Sequence, residues 1–178
     1  MESKIPFGLG FVKNRYVGRT FIQPTQGQRD TLVGIKLNAL ASAVKGKRVV
    51  MVDDSIVRGT TSARIVSLLR NAGATEVHVR ISAPPFTNPC YFGTDIDSKD
   101  KLIACRMTVD EICRSIGADS LGYMKIEDLD HITEGTKCGF CKGCFTGDYP
   151  IEVPKEFPKD RFEVKLKEAS NCMGHEKP

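Results

Sequence analysis

Apolar and polar positions change rhythm several times along this chain. Val49 to Val52 is a short unbroken apolar run, the pattern of a parallel strand covered on both faces, and it ends at two adjacent acids, Asp53 and Asp54. Ser62 to Asn71 then places Ile65, Val66, Leu68 and Leu69 on one side of a helix that stops at Ala72-Gly73. In the next segment, EVHVRIS, the residues Val77, Val79 and Ile81 alternate with polar neighbours before Pro84-Pro85 forbids continuation. Strand, helix, strand predicts a βαβ unit, and with it an α/β fold whose parallel sheet is flanked by helices.

The remaining segments extend that reading. From Gln28 to Val44 the residues Leu32, Ile35, Leu37, Leu40 and Val44 fall near a helical stripe, and Lys45-Gly46-Lys47 supplies a stop with cations at the negative end, so a helix is predicted there. Lys13 to Pro24 shows neither period and reads as a long loop. Thr108 to Glu111 matches the S/T-x-x-E capping box, which predicts a helix to Ile116 with its end at Gly117. A short strand around Leu121 to Met124 and a turn of helix at Glu127 to His131 follow. The tail from Lys155 to Pro178 is charged and aperiodic and is expected to fray.

Composition narrows the function classes. With 178 residues, 40% hydrophobic and 27% charged, the chain is long enough to bury a core without staples. Its net charge of +4 is too small and too scattered for a duplex-binding face, so nucleic acid is excluded as a partner, while an anionic small molecule suits the modest excess of cations. No apolar run approaches the ~20 residues of a membrane helix, and MESKIPFGLG lacks the features of a signal peptide, so a cytoplasmic protein is expected.

The acids at the end of the first strand carry the chemistry. In an open parallel sheet ligands sit at the carboxyl ends of strands, where the next helix aims its free N–H groups outward. Asp53 and Asp54 stand at such an end, and the turn from Ser55 to Thr61 leads straight into a helix. Gly59 allows close backbone approach, while Ser55, Thr60 and Thr61 add hydroxyl donors. A phosphate monoester fits that turn, since several charge-assisted hydrogen bonds of ~1.5–3 kcal/mol each can meet a dianion. The carboxylates repel phosphate and suit hydroxyls or magnesium instead. A ligand with a phosphate at one end and vicinal hydroxyls a few bonds away is a ribose 5-phosphate.

Three other readings of the same stretch are weaker. A P-loop NTPase needs G-x-x-x-x-G-K-[ST], which does not occur. A receiver domain needs a phosphoacceptor Asp ending a later apolar strand, whereas Asp95 and Asp97 lie in the polar stretch YFGTDIDS. An acidic turn that merely caps a helix does not account for the added Arg-Gly-Thr-Thr.

Seven cysteines, mostly late, fit metal or cluster ligation better than a secreted disulfide framework. KCGFCKGCF spaces Cys138, Cys141 and Cys144 as C-x-x-C-x-x-C, like the first three positions of a ferredoxin-type run, with Cys90 as the distant fourth; zinc and free thiols are the alternatives. Cys105, Cys113 and Cys172 have no partner spacing and read as core or surface thiols. His78, His131 and His175 read as packing or surface residues, because no nucleophile pattern accompanies them.

VVMVDDSIVRGTT resembles the thirteen-residue phosphoribosyl pyrophosphate signature of type I phosphoribosyltransferases, and KNRYVGRTFIQP and CFTGDYP resemble the amidophosphoribosyltransferase family within them. The resemblance runs from about Ile5 to Pro154. It implies that Asp53 and Asp54 bind the ribose hydroxyls and Mg2+, and that Ser55, Ile56, Val57, Arg58, Gly59, Thr60 and Thr61 grip the 5-phosphate. Lys13 to Pro24 would be the family's closing loop, with Lys13 a substrate contact and Arg15 and Arg19 taking part in catalysis as anion contacts. The implied reaction is displacement of pyrophosphate from C1 of phosphoribosyl pyrophosphate by ammonia, giving 5-phosphoribosylamine, the first committed step of purine synthesis.

Ammonia would come from glutamine by way of a glutaminase domain that this sequence lacks, together with the first strands of the transferase and its pyrophosphate loop. The chain alone is therefore expected not to turn over, while the full-length enzyme is expected to be a homo-oligomer. In cluster-bearing members the counterparts of Cys90, Cys141 and Cys144 ligate a 4Fe-4S cluster and the fourth ligand lies upstream, which leaves Cys138 the weakest of the four. The expected organisation is a partial transferase domain over 1–133, a cysteine-rich segment over 134–154 and a charged tail over 155–178. A different class, a regulatory module that senses phosphoribosyl pyrophosphate, remains as the alternative; CFTGDYP favours the enzyme.

Overall fold

The computed structural model describes residues 3–13, 37–94, 96, 98–132 and 134–153. Its centre is a three-stranded parallel sheet of β3 (Arg48–Asp53), β4 (Glu76–Ile81) and β5 (Ser120–Tyr123), in that order. Arg48 pairs with Glu76 at one end and Asp53 with Ile81 at the other, while Ile81 pairs in turn with Tyr123. The last residues of all three strands therefore form one row at the carboxyl edge. A two-stranded antiparallel ribbon, β1 (Phe11–Lys13) with β2 (Leu37–Ala39), stands apart from this sheet, and a short helix α1 (Ala41–Val44) follows it.

Alternation along the strands decides which side of the sheet is packed. Val77 and Val79 are fully buried and Ile81 and Met51 nearly so, against Val66 and Leu69 of α2 (Thr60–Asn71) and Ile112 and Ile116 of α3 (Val109–Ile116). Burying one such side chain is worth about 1.5–3 kcal/mol. The opposite face carries Val50, His78 and Arg80, and Val52 there is 72% exposed. The expected two-sided cover of the first strand is thus one-sided among the described residues. On the open face a polar chain crosses the strands: Arg48 donates to Glu76 (2.6 Å), His78 bridges Glu76 (2.9 Å) and Ser120 (2.8 Å), and Arg80 donates to Ser120 (3.0 Å).

Helix α3 follows its sequence closely. The Thr108 hydroxyl accepts the Glu111 N–H (3.3 Å), the Glu111 carboxylate accepts the Thr108 N–H (2.7 Å), and Gly117 closes the helix in the left-handed region at φ 75°. The small helix α4 runs over Asp128–Ile132, one residue later than expected. Two further expectations fail. Leu37–Ala39 is strand and not the continuation of a helix from Gln28, because Leu37 and Ala39 alternate with the exposed Asn38 against β1 and Leu37 joins the core. Lys13 ends β1 and does not open a loop. Residues 14–36 lie outside the described residues, as does the charged tail from Lys155.

Candidate functional site at the carboxyl edge of the sheet

Strand β3 delivers Asp53 and Asp54 to the carboxyl edge. The Asp54 N–H donates back to Asp53 Oδ1 (3.0 Å), and Ser55 Oγ donates to Asp54 Oδ1 (3.0 Å). Ser82, just past β4, holds the Asp53 carbonyl from the side through its N–H (3.0 Å) and hydroxyl (3.3 Å). Burial raises the Asp53 carboxyl above its ordinary 3.8; the Asp54 N–H opposes this and the Asp54 charge adds to it. Two neighbouring carboxylates, one half-buried and one exposed, present hard oxygen donors, the kind that magnesium and sugar hydroxyls take.

The turn that follows is anchored from below by its apolar members. Ile56 is 2% exposed within the main core, and Val57 packs on a second small cluster of Phe86, Ile96 and Leu102. The Val57 carbonyl accepts the Ile103 N–H (2.9 Å), tying the turn to a 3-10 segment, Ile103–Cys105. Gly59 is the N-cap of α2 at φ 84°, and a Cβ there would lie 2.7 Å from Ile103 Cδ1. The backbone conformation thus favours glycine, and a methyl group would also have to displace the tip of the Ile103 side chain. No side chain caps α2, Thr60 is exposed and Thr61 half-exposed, and the helix start faces the same edge as the two acids. The positive end of a helix dipole favours a negatively charged group. Arg58 is half-buried in the same turn.

The cysteines divide. Cys90 and Cys144 are half-buried and share the second cluster with Phe86 and Leu102, whereas Cys138 and Cys141 are exposed. Among the described residues no three His, Cys, Asp or Glu side chains stand close enough together to hold a metal ion, so the four-thiol set is not assembled there. Burial raises the Cys90 thiol, yet N–H donors from Phe92, Thr94 and Gly93 outweigh it and leave the net shift downward. Burial pushes the Cys144 thiol up, and the charges of Cys90 and Cys141 add to that rise. Thiolate sulfur suits iron or zinc. Cys105 and Cys113 donate to the carbonyls of Thr87 and Ala118 (both 3.3 Å), as surface and core thiols would. An open hollow of about 310 Å³ lies beside Phe140, Cys141 and Tyr149, not at the strand tip.

Lys13 is exposed at the end of β1; Arg15 and Arg19 lie outside the described residues. Ser82, Ile103 and the clamp of Thr87 and Tyr149 around the cysteines escaped the sequence reading, because each acts through a partner far away in the chain. Among the described residues no helix is long and apolar enough to cross a membrane.

No family model matches the chain. Curated relatives do. The amidophosphoribosyltransferase of Synechocystis sp. is 57% identical over 163 residues, 92% of this chain and 33% of its own length. That of Synechococcus elongatus is 52% identical over 161 residues, 90% of this chain and 33% of its own. Among solved structures, the glutamine phosphoribosylpyrophosphate amidotransferase of Bacillus subtilis complexed with ADP and GMP superposes with a TM-score of 0.72 at 54% identity, covering 86% of this chain and 35% of that one. The chain thus spans about a third of the length of the relatives it matches.

Proposed function

The chain is a homologue of the amidophosphoribosyltransferases, matching their carboxyl-terminal third, and from that premise we propose that it supplies the ribose-phosphate half of a site where ammonia displaces pyrophosphate from C1 of phosphoribosyl pyrophosphate. The observation that carries this reading is the pairing, at one strand tip, of two adjacent acids with an anchored turn that opens a helix. Asp53 and Asp54 accept the 2′ and 3′ hydroxyls of the ribose. The backbone from Ser55 to Thr61, with the hydroxyls of Ser55, Thr60 and Thr61, receives the 5-phosphate, and Ile56 and Val57 serve by fixing that backbone from beneath.

In the reaction the C1–O bond to pyrophosphate breaks, a C1–N bond to ammonia forms, and the surplus proton leaves the new amine. Positive charge grows on the sugar ring as the leaving group departs, and the two carboxylates below the ribose favour it. Mg2+ held by Asp53 and Asp54 would supply charge neutralisation to the departing pyrophosphate. Lys13, Arg15 and Arg19 are assigned to the anionic end of the substrate, where closure over it excludes water that competes with ammonia.

The ammonia originates from glutamine on a part of the polypeptide beyond these 178 residues, and the whole enzyme is a cytoplasmic homo-oligomer in this reading. Cys90, Cys141 and Cys144 are the residues that would ligate a 4Fe-4S cluster, with Cys138 the reserve ligand. The test is substrate binding and turnover in the full-length enzyme with Asp53→Asn and Asp54→Asn. Losses of tenfold or more in both are expected, and unchanged kinetics would remove the acids from the site.

A further inference from the structure

The turn that opens α2 rests on a short stretch from later in the chain. Leu102 is fully buried in the second cluster, where Val57 packs against it. The next residue, Ile103, is buried in the main core and meets the turn through both its backbone and its side chain. Its N–H donates to the Val57 carbonyl (2.9 Å), and its Cδ1 sits where a Cβ on Gly59 would meet it at 2.7 Å. Ile116, the last residue of α3, completes the same floor, since that Cβ would stand 3.8 Å from its Cγ2. Ile103 is itself held in place. Its carbonyl accepts the N–H groups of Arg106 and Met107 (both 3.0 Å), and the capped start of α3 follows at Thr108.

A trans peptide is planar, with its carbonyl and its N–H pointing in opposite directions, and among the described residues no peptide bond is cis. A Val57 carbonyl drawn to Ile103 therefore turns the Arg58 N–H away from the core to which Ile103 belongs. We infer that Ile103 is a positioning residue for the phosphate turn: its N–H sets the plane of the Val57–Arg58 peptide, and its side chain supports the turn beneath Gly59. The backbone from Ser55 to Thr61 is thereby shaped before a ligand arrives, and binding does not have to order it. The inference rests on the assignment of the 5-phosphate to this turn, and its test separates the two.

The test uses the full-length enzyme, with ribose 5-phosphate as the probe and titration calorimetry as the readout. Ile103→Ala and Ile103→Pro both lose most of the side chain, and only proline also loses the N–H. Proline suits the backbone, because Leu102 before it is extended at φ −77° and ψ 122° and Ile103 opens a 3-10 segment. Its ring carbon takes the place of the hydrogen and pushes the Val57 carbonyl away. Ile103→Pro should therefore bind the probe about fivefold or more weakly than Ile103→Ala, the change that one ordinary neutral hydrogen bond makes in an equilibrium. The conservative Ile103→Val keeps the N–H and should hold the affinity close to the parent's. A role confined to core packing would lower the urea midpoints of Ile103→Ala and Ile103→Pro and leave their affinities equal.

A second pair of variants does not depend on the proline protein folding. Ile103→Val removes the Cδ1 that a methyl group at position 59 would meet. Gly59→Ala should therefore bind ribose 5-phosphate about twofold or more tightly in the Ile103→Val background than on its own, the low end of coupling between touching residues. Equal affinities of Ile103→Ala and Ile103→Pro, or no recovery in the double variant, would overturn the inference and leave the phosphate reading standing. A parent enzyme that takes up no ribose 5-phosphate would overturn the phosphate reading, and the role of Ile103 with it.

Discussion

The strand tip and the cysteine clamp are built by opposite strategies. At the tip, the strand end, the two acids, the turn and the helix start are consecutive in the chain, from Asp53 to Thr61, and their geometry follows from local rules: a strand that must stop, a glycine that alone fits φ 84°, a helix with a bare start. At the clamp, Thr87 meets Phe145 and Pro89 meets Tyr149 across about 60 residues. A local site can be specified by a short signature, whereas a distant one needs packing to bring its halves together. The second cluster joins the two, since Phe86, Ile96 and Leu102 pack on Val57 of the turn and on both Cys90 and Cys144.

Breaking that shared cluster should have the largest effect. Leu102→Ala, at a fully buried position, should cost about 3 kcal/mol in a urea titration and impair both phosphate binding at the turn and iron retention at the clamp. A loss at one region alone would show that they are independent. Gly59→Ala should cost about 2 kcal/mol, from strained backbone and the clash with Ile103, and should weaken ligand binding at the tip while leaving iron retention at the clamp unchanged. Thr108→Ala removes the cap of α3 and should lower stability by about 1 kcal/mol, with no change at either region.

Two carboxylates sharpen the contrast through pH. Asp119 accepts the Val77 N–H (2.6 Å) and pairs with Arg70; that backbone bond, with the guanidinium adding to it, holds its carboxyl below the usual 3.8 despite some burial. Its contribution is present above 3.8 and is lost as pH falls through the lower folded value. Asp53 runs the other way: its folded value is raised by burial, so its contribution is present below 3.8 and is lost as pH rises through that higher value. Asp53→Asn should therefore become more stable relative to the parent as pH climbs from 3 to 7, while losing ligand. Asp119→Asn should become less stable over the same range. Denaturation midpoints across that range check both signs, and the effect should be the smallest of the set.

The sequence revealed the tip almost in full, because its residues are neighbours and each has a local reason. The sheet, α2 and α3 were equally legible, since period 2 in Val77, Val79 and Ile81 and a complete capping box leave little choice. Leu37 was misread because a three-residue strand followed by a one-turn helix mimics a helical stripe when Leu40 and Val44 continue it. The clamp was legible only as cysteine spacing. Nothing in CFTGDYP says that its tyrosine will reach the carbonyl before Cys90.

The most direct test is the structure of the full-length protein with phosphoribosyl pyrophosphate bound. The account predicts the 5-phosphate oxygens about 2.7–3.2 Å from backbone N–H groups between Ser55 and Thr61, with the ribose hydroxyls on Asp53 and Asp54. A phosphate ester seated anywhere else, with the acids turned away from the sugar, would contradict it.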